Sequence, residues 1–429
     1  MKNAYIIGCV NICFFCSFFT FGQSNYVNVQ IPPVSAGYPF NECEPSIAIN
    51  PKNTKQIAAG SVLKGYHFSI DGGLTWKSKK MASSYGVYGD PVLQFDNLGR
   101  LYYFHLTDYK KGTHLDRILC QTSESILGKF TNGSFPEPNG TKVQDKHWVV
   151  IDPKTNVLYM TWTQFDAYDS SDPKDTSIIV FSKSIDRGKS WTKPVRISIF
   201  GGDCLDGDNT VEGAVPALGP NGEIYVTWTG PNGLMFQKST DGGKTWLKEE
   251  KHLANQIGGW DLNIPGFFRA NGLPFLMSDM SNGPHRGTLY VNWCDQRNGA
   301  INTDVWLIKS TDGGDTWSAP IKVNQDQTNT HQFLTAMCID QTNGQLHFVY
   351  YDRRKYKNKS TDVIWATSTD GGKTFQEETI SNLPFTPNDK VFFGDYLGIS
   401  AVNGIVRPIW PRMDEGKITL WTAIIDLTK

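Results

Sequence analysis

The 429-residue chain predicts an all-β fold, a seven-bladed β-propeller closed by its N-terminal strand, with a six-bladed ring as the alternative. Three observations carry this. An S-x-D-x-G-x-[ST]-aromatic turn occurs five times, and a second unit, a polar residue leading into a short apolar strand, occurs seven times. The composition, with 13% aromatic residues, 41 Gly and 22 Pro, matches many short strands joined by tight turns. A chain of this length exceeds one ordinary core unless it is built from repeats or a large closed sheet.

The N-terminus comes first in order. Lys2 precedes an apolar run from Ala4 to Phe21 and the small Gly22, which reads as a signal peptide over residues 1–22. A retained membrane anchor is the competing reading. Removal leaves one domain, residues 23–429, secreted or periplasmic, with no membrane contact because no second apolar run exists. Cys9, Cys13 and Cys16 leave with the peptide. The remaining five cysteines are odd in number and lack metal-ligand spacing, and Cys120, Cys294 and Cys338 fall in apolar strand patterns as buried thiols. The next segment, NYVNVQIPPV (25–34), is a spare strand.

The seven units then follow. EPSIAINP (44–51) leads to QIAAGSV and the turn SIDGGLTW (69–76); GDPVLQFD (89–96) leads to LYYFHLT, with TSESILGKF in place of the turn. DKHWVVIDP (145–153) is followed by SIDRGKSW (184–191), EGAVPALGP (212–220) by STDGGKTW (239–246), and NGLPFLMSD (271–279) by STDGGDTW (310–317). HQFLTAMCID (331–340) precedes STDGGKTF (368–375), and GDYLGISAVNG (394–404) opens a last unit with only three strands of its own. In each turn Gly supplies positive φ, Asp and Ser hold loop amides, and the aromatic plugs the loop onto its sheet. Units of this length with about four strands each match propeller blades. The spare N-terminal strand completes the seventh blade and removes its open edge.

These turns resemble the Asp box, or bacterial neuraminidase repeat, of the sialidase superfamily of propellers, over nearly the whole mature chain. The superfamily also holds xyloglucanases, other glycosidases and receptor domains without catalysis, so the resemblance fixes fold more narrowly than activity. It implies that the turns lie away from the active site. Substrate would meet loops entering the innermost strands and loops between second and third strands. The first set comprises Glu42, Glu44, Asp90, Asp145, Lys146, His147, Glu212, Asn271, His331, Gln332, Asp395 and Tyr396. The second comprises Asp166, Tyr168, Asp295, Arg297, Asp352, Arg353, Arg354, Arg412 and Asp414, with Arg suited to a carboxylate or sulfate. Solvated Arg–Asp pairs pinning loops are the plainer reading of this set. The Phe-Arg-Ile-Pro motif of sialidases has no counterpart, since the corresponding stretch is YPFNECEPS.

The expected function is a secreted carbohydrate-active enzyme, a glycoside hydrolase acting on an anionic glycan containing sialic or uronic acid. Glu212, Asp90, Asp145 and Asp395 are candidates for the two carboxyls that must flank a glycosidic bond. Tyr396 is a candidate nucleophile in the sialidase manner. Two alternatives stay open: a propeller that binds glycan or protein without chemistry, and a polysaccharide lyase with His147 or His331 as base and Tyr396 as acid. Glu44, Lys146, Asn271, Gln332, Arg297, Arg353, Arg354 and Arg412 are the candidate substrate-binding residues. Trp148, Trp260, Phe267 and Phe268 could stack on sugars, and the insertion 253–272 could form a lip over the channel. A net charge of −1 gives no bulk reason to bind nucleic acid. No cofactor is expected. The acidic loops 166–175 and 203–213 could hold a structural Ca²⁺, although neither has EF-hand spacing. The glycan is the expected partner, and the chain is expected to be a monomer.

Overall fold

The computed structural model describes residues 25–34, 42–108 and 114–428, so the expected signal peptide lies outside the described residues. Seven antiparallel sheets form the ring expected from the repeats. Their innermost strands, blade 1 to blade 7, are Ser46–Ile49, Val92–Phe95, Val143–Ile151, Glu212–Leu218, Phe275–Ser278, Gln332–Asp340 and Gly398–Val402. Asn28–Ile31 pairs antiparallel with Lys417–Ala423, Asn28 opposite Ala423 and Ile31 opposite Leu420, and so supplies the outer strand of blade 7. This closes the ring. Blade 2 has three full strands; in place of a fourth, Ser134 bridges Cys120 through two backbone hydrogen bonds of 2.8 and 3.0 Å. A two-stranded ribbon, Asp261–Leu262 with Ala270–Asn271, rises from the insertion between blades 4 and 5.

The second strand of each blade is covered on both faces by neighbouring blades, which is why these strands read as near-continuous apolar runs. Trp162, Trp228, Trp293 and Trp410 occupy them, all buried. The five described cysteines, Cys43, Cys120, Cys204, Cys294 and Cys338, are free and buried. No helix among the described residues is long and apolar enough to cross a membrane.

The repeated turns join third and fourth strands and are built alike. In residues 310–317 the Ser310 hydroxyl donates to Asp312 at 2.7 Å and accepts from Gly314 N at 2.9 Å. Asp312 in turn accepts from Thr316 N at 2.9 Å and from the Thr316 hydroxyl at 2.6 Å. Each turn is also tied to the blade before it. Arg407 donates to Gly72 O at 2.8 Å, Lys183 to Gly242 O at 2.6 Å, Lys251 to Gly314 O at 2.9 Å and Lys309 to Gly371 O at 2.7 Å. In the remaining turn Gly188 O accepts from Ser134. The second glycine sits flush against the preceding blade: a Cβ on Gly314, whose φ is +86°, would lie 2.5 Å from Phe236.

Two outcomes follow from this construction. Gly314→Val meets both a disfavoured backbone and an aromatic wall, and it should cost about 2–4 kcal/mol in chemical denaturation. The turn carboxylates are held low: at Asp186 burial opposes ionisation, but the Ser190 hydroxyl and loop amides outweigh it and hold the group at about 2. Because the folded value lies below the ordinary 3.8, this contribution is complete above about pH 4 and is lost as pH falls toward about 2. The Tm of Asp186→Asn should therefore lie below that of the parent at pH 6 and converge with it below pH 2.

Candidate functional site

At the end of the ring opposite these turns, the chain enters its inner strands through left-handed residues. Glu44, Asp90, Lys146 and Leu334 have φ of 49°, 48°, 48° and 49°, and Gly213 and Gly394 have φ of 70° and 88°. Pairing of the inner with the second strand slips between Asp145 and Trp148, between Glu212 and Val215, and between Phe333 and Ala336. Such bulges re-aim side chains at a sheet end. A left-handed backbone costs a side-chain-bearing residue roughly 1–2 kcal/mol, and three of these four carry an ionisable, buried side chain. The strain turns those groups inward.

They converge on two cations. Lys146 Nζ lies 2.9 Å from Asp395, 3.7 Å from Asp90 and 3.9 Å from Asp145. The oxygens of Asp90 and Asp145 that face it are thus at most about 8 Å apart. Arg269 reaches down from the insertion, with Nη2 2.6 Å from Asp395 and Nη1 2.6 Å from Asp206. The Tyr168 hydroxyl donates to Asp206 at 2.7 Å, Asn271 donates to Asp395 O at 2.8 Å, and Asp395 N donates to Glu44 at 3.3 Å. Glu212 is fully buried, and neither of its oxygens has a hydrogen-bond partner; Oδ1 of Asp395 also lacks one.

Burial and charge drive these groups apart in acidity. Burial first, then Asp206, pushes Glu212 well above the usual carboxyl range. Burial, then Asp90, does the same to Glu44. Asp145 is raised by burial to about 7 although Lys146 opposes the shift. At Asp395 burial also disfavours the anion, but Arg269 and Lys146 outweigh it and hold the group at about 2. The mouth therefore holds neutral acids beside a fixed carboxylate.

Other expected residues lie elsewhere or are otherwise engaged. Tyr396 borders the cluster with its ring 5.4 Å from that of Trp148, and burial, then Asp90 and Glu44, pushes its phenol well above 10. That opposes the phenolate a nucleophile needs. His147 is turned away from the mouth, its ring 6.4 Å from that of Phe104 in blade 2, and burial pushes it down to about 3. Strand alternation explains this, because Lys146 beside it takes the inward direction. His331 pairs with the Thr303 hydroxyl at 3.0 Å, and Gln332 contacts Asn324 at 3.1 Å; both stand between blades 5 and 6. Glu42 joins Ser61 and His67 within blade 1.

The arginines of the second set are engaged by the protein itself. Arg297 pairs with Asp295 and stacks on Trp306 at 4.3 Å. Arg354 bridges Asp352 at 2.7 Å and Glu377 at 2.8 Å, and Arg412 pairs with Asp414 at 2.8 Å and lies 3.7 Å over Trp421. Arg353 donates to Pro265 O at 2.8 Å, anchoring the insertion, with Phe267 and Phe333 against its guanidinium. Trp260 and Phe267 are buried, Trp148 is partly buried, and Phe268 is 63% exposed, edge-on to Phe392.

Arg269 and Asp206 are the site residues that sequence reasoning missed. Arg269 is the only Lys or Arg between Lys251 and Arg286, within the insertion read as a lip. The other carboxylates of the acidic loops accept from hydroxyl and backbone groups: Asp203 from Thr210 at 2.9 Å, Asp208 from Asp261 N at 2.8 Å and Asp166 from Thr176 N at 3.0 Å. Among the described residues no group of three or more His, Cys, Asp or Glu is placed to hold a metal ion.

No protein-family model matches the chain. The xyloglucanase Xgh74A of Acetivibrio thermocellus is 26% identical over 225 residues, 52% of this chain and 24% of its own length. The chain thus spans about a quarter of the curated relative it matches. Among solved structures, a polysaccharide lyase of the ulvan lyase family PL25 aligns with TM-score 0.56 and 12% identity over 93% of this chain and 96% of its own. A protein of unknown function from Dyadobacter fermentans aligns with TM-score 0.52 and 11% identity over 94% and 99%. The sialidase NanB of Streptococcus pneumoniae aligns with TM-score 0.52 and 10% identity over 87% and 83%. The fold is that of the sialidase-like seven-bladed propellers.

Removing Arg269 tests the electrostatic account. Arg269→Ala leaves Asp206 without its guanidinium and Asp395 with Lys146 alone, so the loss should be about 3–5 kcal/mol at pH 7. Asp395 should then titrate above its present value of about 2. Since the depressed group stabilises the fold above about pH 4 and not below about pH 2, the Tm difference should shrink across that window, read by pH-dependent calorimetry.

Proposed function

We propose that the protein is a glycoside hydrolase whose chemistry takes place in the carboxyl cluster at the mouth. The observation that carries this is the convergence of buried carboxyls on Lys146 and Arg269, with both oxygens of Glu212 and Oδ1 of Asp395 left without a hydrogen-bond partner. Groups whose surroundings push their pKa values apart are the usual acid and base of a hydrolytic site. Glu212, kept neutral by burial, donates the proton to the departing glycosidic oxygen. Asp395, ionised between Arg269 and Lys146, is the partner that stabilises positive charge at the sugar or activates the attacking group. Lys146 fixes Asp395, and Tyr168 fixes Asp206.

The same geometry argues for a neutral glycan in place of the anionic one suggested by the sequence. Lys146 and Arg269 are both engaged by Asp395, and an incoming sugar carboxylate would face the remaining carboxyls without a free guanidinium. The similarity to a xyloglucanase over half of the chain supports a neutral substrate. Lyase chemistry is less well supported. His147 points away, and His331, lowered by burial and then Arg353 to about 4, is paired with Thr303.

Reducing-end release from neutral β-glucans, xyloglucan, mannan and galactan, run beside sialosides and uronic-acid polymers, tests the assignment. A neutral polymer should be cleaved, and Glu212→Gln should lower kcat by about 10²–10⁴ with an unchanged Tm. Cleavage that survives this substitution would remove Glu212 from the chemistry, and unsaturated uronate absorbance would favour a lyase. Turnover of no polymer would leave the binding-propeller reading.

A further inference from the structure

A second concavity lies on the same face, outside the charged centre. It has a volume of about 480 Å³ and is walled by three segments. Asp208 and Asn209 come from the loop leading into blade 4, and Gly230–Gly233 form the turn between its second and third strands. His252, Asn255 and Gln256 come from its outer strand and the start of the insertion. Asn209, Asn232, His252 and Asn255 are exposed, with no side-chain hydrogen bond among the described residues.

The floor is kept low by glycine and held rigid. A Cβ on Gly233 would lie 2.6 Å from Ala254 O, and one on Gly259 would lie 2.1 Å from the Asp208 carboxylate. Asp208 accepts from Asp261 N at 2.8 Å, and Trp260 Nε1 donates to Thr210 O at 3.2 Å, locking the insertion to the wall. Amides, an imidazole and open backbone around a fixed floor match the alternating donors and acceptors of sugar hydroxyls, with no unpaired cation to select an anion.

The loop that forms one wall of the cleft runs on into the mouth. Asn209 stands three residues before Glu212, so their Cα atoms are no more than about 11 Å apart. The loop that carries Asp208 also carries Asp206, the partner of Arg269. We propose that this cleft is a distal subsite holding a neutral sugar unit of a chain whose scissile bond lies at Glu212. The inference rests on the hydrolase reading and makes the substrate a polymer or long oligosaccharide cut at a distance from its end. Asn209, Asn232, His252 and Asn255 serve here as binding residues and not as catalytic ones.

The test is binding by the full-length Glu212→Gln protein, which keeps ligands intact, to cello-oligosaccharides and xyloglucan oligosaccharides of increasing length, measured by calorimetry. Affinity should rise with length by about tenfold, the equivalent of one or two good hydrogen bonds. Asn232→Ala and His252→Ala, both at exposed positions, should abolish that gain, leave the shortest binding ligand unaffected and preserve the Tm. Affinity that does not change with length, a gain that survives both substitutions, or no binding of any oligosaccharide overturns the subsite. Failure of the two readings is separable. Turnover with flat length dependence removes the cleft alone, whereas length-dependent binding lost in these variants, without turnover by the parent protein, removes the hydrolase alone.

Discussion

Six carboxyl groups, those of Glu44, Asp90, Asp145, Asp206, Glu212 and Asp395, meet at the hub of a closed ring, and bringing like charges together away from water is strongly unfavourable. Two devices make it tolerable. Lys146 and Arg269 neutralise part of the charge through contacts of 2.9 and 2.6 Å to Asp395. Most of the remainder is relieved by protonation, since burial raises Glu44, Asp145 and Glu212. Both devices depend on closure. The hydrogen bond from Asp395 N to Glu44 joins blade 7 to blade 1, across the seam that Asn28–Ile31 completes from the far edge of blade 7.

The two ends of each blade divide the work. At the turn end, Asp and Ser side chains satisfy loop amides, and a glycine carbonyl accepts a donor from the blade before, so the ring is fastened between neighbours where no chemistry is needed. At the mouth the backbone at Glu44, Asp90 and Lys146 is left-handed, which is unfavourable in itself and persists only where the surroundings over-determine it. The fastened rim provides that surrounding rigidity. A loosely joined ring would relax those residues toward ordinary conformations and carry their side chains out of the hub.

The repeats made the blades, their order and the closing strand legible, because a turn of fixed chemistry at fixed spacing dictates a repeated sheet. The same register placed Glu44, Asp90, Asp145, Lys146, Glu212 and Asp395 at strand entries, and these do converge. The arginines were misleading for a local reason. Arg297, Arg354 and Arg412 each stand two residues from an aspartate, and that spacing lets the loop pair with itself before any ligand arrives. His147 required strand alternation to be followed through a bulge. Arg269 was hidden because its insertion belongs to no repeat, and only the folded path of residues 257–272 shows where its guanidinium lands.

The position of Arg269 also bears on how such a buried centre can meet a substrate. Glu212 and Asp395 are 0% and 1% exposed, and Arg269, held by the ribbon of the insertion, stands above them. If Arg269 were the only cation on Asp395, any movement opening the mouth would strand a buried anion and raise its pKa. Lys146 removes that conflict by contacting Asp395 from within the ring. Asp206, only partly buried and tied to Tyr168, gives the guanidinium a second partner nearer the surface. Asp395 is thus held by two cations from different elements, Lys146 on an inner strand and Arg269 on the insertion, so its charge state does not rest on the insertion alone.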